Sequence, residues 1–114
     1  ETVRALAITT ITVAGHMGPC ASWMGTYTRN AAHSPRFGGN VCTKTDDSDQ
    51  HFFRGNNGFW IIGTTENMIE GKSKGSIAST KASHSPLDLG WKFWDIAALP
   101  LAWQSDPLLK VTAV

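Results

Sequence analysis

The chain alternates short runs of β-branched and aromatic residues with stretches rich in glycine, proline, asparagine and serine. Runs of that kind bounded by turn formers read as strands, and no apolar stripe of helical period extends beyond about one turn. Val3 to Val13 is rich in Thr, Ile and Val, with Leu6 and Ile8 on one parity and Ile11 and Val13 on the other. That switch predicts a strand with a bulge near Thr9 and Thr10. Residues 15–25, carrying Gly15, Gly18 and Pro19, read as a loop. Gly25 to Arg29 predicts a second strand, residues 30–39 a loop, and Asn40 to Lys44 a short third strand.

The clearest local signal lies in the middle of the chain. Gly55-Asn56-Asn57-Gly58 stands between His51-Phe52-Phe53-Arg54 and Phe59-Trp60-Ile61-Ile62-Gly63. Glycine and asparagine tolerate the positive φ of tight turns, so this is a hairpin. Residues 64–90 lose periodicity and read as a long loop with one edge strand over Ser76 to Thr80. Trp91 to Asp95 resumes a strand, with Trp91 and Phe93 facing one way and Trp94 the other. A short helical turn is expected over Asp95 to Leu99. Pro100 and Pro107 interrupt the next stretch, and Leu108 to Val114 forms a closing strand.

The pattern predicts one all-β domain over residues 1–114, an antiparallel β-sandwich or open barrel of seven or eight short strands. Its core is expected from Tyr27, Phe53, Phe59, Ile61, Trp91, Phe93, Trp103 and Val111.

Composition narrows the partners. The 114 residues are 41% hydrophobic and 17% charged, which is the balance of a globular chain. A net charge of +1 generates no strong field toward nucleic acid or membrane, so any electrostatic partner must be met by a local patch. No apolar run is long enough to span a bilayer as a helix. The start at Glu1 is that expected of a processed, secreted product, and a trimmed chain would look the same. Cys20 and Cys42 lack the companions of a zinc site, and a disulfide fits them best; buried thiols are the alternative. Such a bridge would contribute roughly 3 kcal/mol through loop entropy.

No residue set carries catalysis or a cofactor. Gly18-Pro19-Cys20-Ala21-Ser22-Trp23 resembles the nucleophile segment of papain-like proteases only faintly, and the chain has no room for the second subdomain such enzymes need. No Gly-x-Ser-x-Gly turn frames a serine. Asp46-Asp47-Ser48-Asp49 lacks the glycine and distal glutamate of a calcium loop and reads as a solvated turn. The four histidines lack ligand spacing, so surface or turn positions are expected and no metal is assigned. Trp60, Trp91, Trp94 and Trp103 sit on strands beside aliphatic neighbours and read as core. Trp23 and Met24, in a loop, are candidates for a ligand or partner contact. The segment 72–86 holds three lysines, five serines and no acid. Its ammonium and hydroxyl groups suit silanolate, phosphate or sulfate, with Lys72, Ser73, Lys74, Ser76 and Lys81 as candidate contacts to silica or an anionic surface. An ordinary solvated loop is the alternative.

Several stretches, taken in order, resemble a known family. Gly25-Thr26-Tyr27-Thr28-Arg29, the hairpin from Phe53 to Gly63, Trp91-Lys92-Phe93-Trp94, and Trp103 to Thr112 are similar to a small tryptophan-rich β module. That module is repeated in extracellular proteins of sponges, algae and oomycetes. The resemblance runs from about residue 20 to the end and implies an all-β, non-enzymatic, secreted interaction module. In a sponge it further implies a scaffold partner of silicatein in the protein lattice of biosilica spicules. The chain departs from the module at Cys42, where an aromatic residue is usual, so no cysteine pairing carries over. The leading expectation is thus a scaffold component, and the rival is a lectin-like domain that binds carbohydrate through Trp23 or Trp60 with nearby Asn or Asp.

Overall fold

The computed structural model describes residues 9–18, 20–71, 75–95 and 102–113. Among the described residues, nine strands form one antiparallel sheet: β1 (Thr10–Ala14), β2 (Gly25–Arg29), β3 (Cys42–Lys44), β4 (Asp47–Arg54), β5 (Trp60–Gly63), β6 (Ile77–Ser79), β7 (Trp91–Asp95), β8 (Ala102–Ser105) and β9 (Lys110–Ala113). Their order across the sheet is β8-β7-β6-β5-β4-β3-β2-β1-β9, so the first eight strands form a meander and β9 returns beside β1. The sheet curls into an open half-barrel, the open-barrel form of the all-β class expected from the sequence.

Strand register divides the side chains between two faces. Ile11, Tyr27, Cys42, Phe52, Ile62 and Ile77 share the inner face through the pairs Ile11↔Tyr27, Cys42↔Phe52, Phe52↔Ile62 and Ile62↔Ile77. Val13, Cys20, Trp60, Trp91, Leu109 and Val111 complete this buried cluster. Phe52 lies 5.6 Å from Trp60 and 5.7 Å from Trp91 between ring centroids, and burial of these rings stabilises this face. The opposite parity places Phe53, Ile61 and Ala78 on the outer face, where they pack with Val41 and Met68.

Met68 comes from a short helix, α1 (Thr65–Glu70), inside the segment read as loop. Its ends carry local signals. The Thr64 hydroxyl accepts from the Asn67 N–H, and Gly71 closes the helix at φ 66°. A Cβ at Gly71 would meet the Phe37 ring at 2.3 Å, so glycine is required by space as well as by conformation.

Other expectations are adjusted. β4 begins at Asp47, so Asp47 and Asp49 stand at the start of a strand. β8 occupies the stretch between Pro100 and Pro107 and carries Trp103 on a strand, as expected, and the first strand is described only from Thr10. The helical turn expected over residues 95–99 falls largely outside the described residues. Tyr27, Phe53, Ile61, Trp91 and Val111 are buried as expected, whereas Phe59, Phe93 and Trp103 are half-buried.

The cysteines are not bridged: Cys20 and Cys42 are both buried thiols. The Cys20 thiol donates to the carbonyls of Ser76 and Trp94 at 3.4 and 3.6 Å, beside β6 and β7. Cys42 lies on β3, three strands removed from β6 in the order of the sheet. A disulfide requires Cα atoms within about 7 Å. Burial pushes the Cys42 thiol up to about 11, against a smaller opposing effect of Arg29, so it stays protonated.

Candidate functional site

Two clusters concentrate chemistry, one on each face of the sheet. The first is a groove of about 200 Å³ lined by Asn57, Phe59, Ile61, Ala78, Lys92 and Trp103. Its residues come together through register, because Ile61 pairs with Ala78, Ala78 with Lys92, and Trp94 with Trp103. The buried side chains of Ile61 and Ala78 form the floor. Ala78 is small, which leaves room above it. Half-buried Phe59 and Trp103 supply aromatic walls, and exposed Asn57 stands at the rim.

Each wall has its own support. Phe59 comes directly after the hairpin turn, where Gly58 adopts φ 88° and the Gly55 N–H donates to the Phe59 carbonyl at 2.8 Å. The Asn57 amide oxygen accepts the Phe59 N–H at 3.2 Å, which leaves its NH2 to donate elsewhere. Trp94 holds Trp103 edge-on, with centroids 5.5 Å apart at 70°. The Lys92 ammonium lies 5.2 Å from the Trp103 centroid and 5.7 Å from that of Phe59. A cation between two π faces gains electrostatic attraction from both.

The second cluster joins a loop to the inner face. His16 Nδ1 and Asp106 Oδ2 are 2.6 Å apart, and the Cys20 backbone N–H donates to His16 Nε2 at 3.1 Å. The backbone donor fixes the tautomer, with the proton on Nδ1 and directed at the carboxylate. His16 is buried against Phe93 at a centroid separation of 4.4 Å. Burial pushes the Asp106 carboxyl up. Hydrogen bonds from His16 and from the Leu108 and Leu109 N–H groups outweigh that effect and hold it below the usual carboxylate range. Cysteine, imidazole and carboxylate therefore meet, a juxtaposition that their spacing along the chain does not foretell. The thiol, however, donates to carbonyls and not to the imidazole, and Nε2 is engaged by a backbone N–H. The arrangement clamps the loop before the 3-10 turn Ala21–Trp23 onto the segment between β8 and β9.

His51 is the other histidine buried where a surface or turn position was expected. Its ring bridges Thr43 Oγ1 at 2.9 Å and Thr65 Oγ1 at 2.7 Å, tying β3 and β4 to α1. Burial lowers its pKa more than nearby Asp49 raises it. The Asp46 and Asp47 side chains remain exposed, while Asp49 accepts the Thr65 N–H at 3.1 Å and so caps the start of α1.

The residues singled out from sequence are dispersed. Trp23 and Met24 are half-buried against the inner core, and the Trp23 carbonyl accepts from the Tyr27 hydroxyl at 2.6 Å. Lys72, Ser73 and Lys74 lie outside the described residues. Ser76 leads into β6, where its backbone bonds to Ile62 and Trp94, and Lys81 is exposed. Much of the hydroxyl-rich segment is structural: Ser79 Oγ accepts from the Trp60 N–H at 3.0 Å and donates to the Lys81 carbonyl at 2.8 Å. Trp60, a carbohydrate candidate in the lectin-like alternative, is buried, with its indole N–H donating to the Ser83 carbonyl.

Sequence reasoning missed Lys92 and Asn57 and assigned Phe59 and Trp103 to the core. The parity of Trp91-Lys92-Phe93-Trp94 did place Lys92 beside Trp94 on one face, and that was the available signal. Comparison of the chain with family profiles, characterised proteins and solved structures returned no match.

Proposed function

We propose that this chain is a non-catalytic, extracellular binding module that seats a sugar ring in the outer-face groove. The observation that carries this reading is the pair of half-buried rings, Phe59 and Trp103, facing a shared apolar floor with amide and ammonium donors beside them. Apolar faces of pyranose rings stack on aromatic side chains, and a few placed donors fix orientation. This is the lectin-like alternative, relocated from Trp23 and Trp60 to Trp103 and Phe59. The extracellular setting rests on the module resemblance. Glycan-array screening with subsequent calorimetry tests the reading: Trp103→Ala should weaken oligosaccharide binding roughly tenfold or more. Binding that survives both Trp103→Ala and Phe59→Ala unchanged would remove the groove from consideration.

A scaffold role, with silicatein as the partner implied by the resemblance, has one structural feature in its favour. Among the described residues, β8 and β9 end the sheet with one neighbour each, and such edges accept further strands. Its test is co-sedimentation with silicatein; a chain that stays wholly unbound would exclude this role.

A further inference from the structure

The groove holds a charge that no acid among the described residues answers. Among the described residues, Asp106 pairs with His16 and Asp46 with Lys44, and no carboxylate pairs with Lys92. Lys92 sits mid-strand on β7 and half-buried, so its stem cannot swing wholly into bulk water. The two rings attract the ammonium, but a π face is a weak substitute for the water shell. A ligand closing over the groove strips that water, and removing it is costly unless full acceptors or an anion take its place. A neutral sugar ring stacked on Phe59 and Trp103 leaves the ammonium poorly solvated. A ring carrying a negative group solves the problem with a charge-assisted hydrogen bond.

Resting on the saccharide reading above, we infer that the groove selects acidic sugars: one pyranose stacks on Phe59 and Trp103, and its carboxylate or sulfate meets Lys92. The Asn57 NH2 is placed at the rim to donate to a hydroxyl of the same ring or its neighbour. The volume of about 200 Å³ is below the roughly 300–1,000 Å³ of drug-sized ligand sites. A single sugar residue of a longer chain is thus seated, and adjoining residues run over the surface.

Calorimetric titration with an oligouronate, a sulfated oligosaccharide and a neutral glucan oligosaccharide of equal length tests this. The acidic chains should bind roughly tenfold tighter than the neutral one, the difference that a charge-assisted bond contributes. Lys92→Gln should remove that preference by weakening the acidic chains to the level of the neutral one, Lys92→Arg should keep it, and added salt should reduce it. Equal affinity of the wild-type protein for acidic and neutral chains would overturn the assignment while leaving the saccharide reading intact. So would an acidic preference that persists in Lys92→Gln. Inorganic sulfate binding as tightly as the sulfated chain would also overturn it, because the ring would then contribute nothing. Failure of every oligosaccharide to bind would overturn both readings.

Discussion

The outer-face groove and the His16–Asp106–Cys20 cluster are instructive side by side. The cluster contains the residue types usually sought in an active site, yet its imidazole and thiol are committed to partners within the fold. The groove contains aromatic rings, an amide and a lysine, all ordinary surface residues, but its ammonium lacks an acidic partner among the described residues and its rings are half-exposed. Capacity to bind lies in unsatisfied groups beside accessible apolar surface, and residue identity alone does not report it.

Mutations should separate the two regions. The largest effect on stability is expected for His16→Ala, which leaves the Cys20 N–H and the Asp106 carboxylate without their partner and opens a cavity against Phe93. Urea denaturation should show a loss of about 3 kcal/mol, while oligosaccharide affinity stays near wild type. A large loss of affinity would mean the two faces are coupled.

Trp94→Leu removes the edge contact that holds Trp103, worth about 1 kcal/mol. Affinity should fall about fivefold, chiefly through faster dissociation in a surface-binding assay. Unchanged dissociation would show that Trp103 is held by other means.

His51 sharpens the contrast through pH. Its folded pKa is lowered, so at pH values just below the ordinary histidine range the unfolded chain binds more protons than the folded one. The stability contribution is therefore full above about pH 6.5 and is lost as pH falls through the folded pKa. Asp106 acts in the same direction lower down, losing its contribution as pH drops below the usual carboxylate range toward its depressed folded value. His51→Gln should cost about 1 kcal/mol near pH 8 and flatten the decline below pH 6.5. An unaltered pH profile would show that another group carries the decline.

The smallest effect concerns the thiols. Intact mass should be the same with and without reductant, and alkylation of Cys42 at pH 8 should require unfolding, because its pKa of about 11 and its burial keep it protonated and covered. A two-proton mass difference would restore the disulfide.

Much of the fold was legible along the chain. The turn at Gly55 to Gly58 announced the β4–β5 hairpin, because Gly and Asn accept a backbone that other residues resist. The parity of Trp91 and Phe93 against Trp94 described β7 correctly. α1 escaped because six residues are too few to show a helical stripe, although Thr64 and Gly71 were readable as its caps. The bounds of β8 were not legible because Pro100 and Pro107 frame it, although Trp103 was placed on a strand, and a proline beside a short run argues against a strand without excluding one.

The order of small, polar and aromatic residues determined by itself that the chain forms an antiparallel β fold, since side-chain alternation and turn chemistry are local properties. Only tertiary structure decided that Lys92 stands between Phe59 and Trp103, that His16 reaches Asp106 across 90 residues, and that Cys20 and Cys42 remain apart. Those outcomes depend on strand order and register, which arise from the packing of the whole sheet and leave no trace in any single segment.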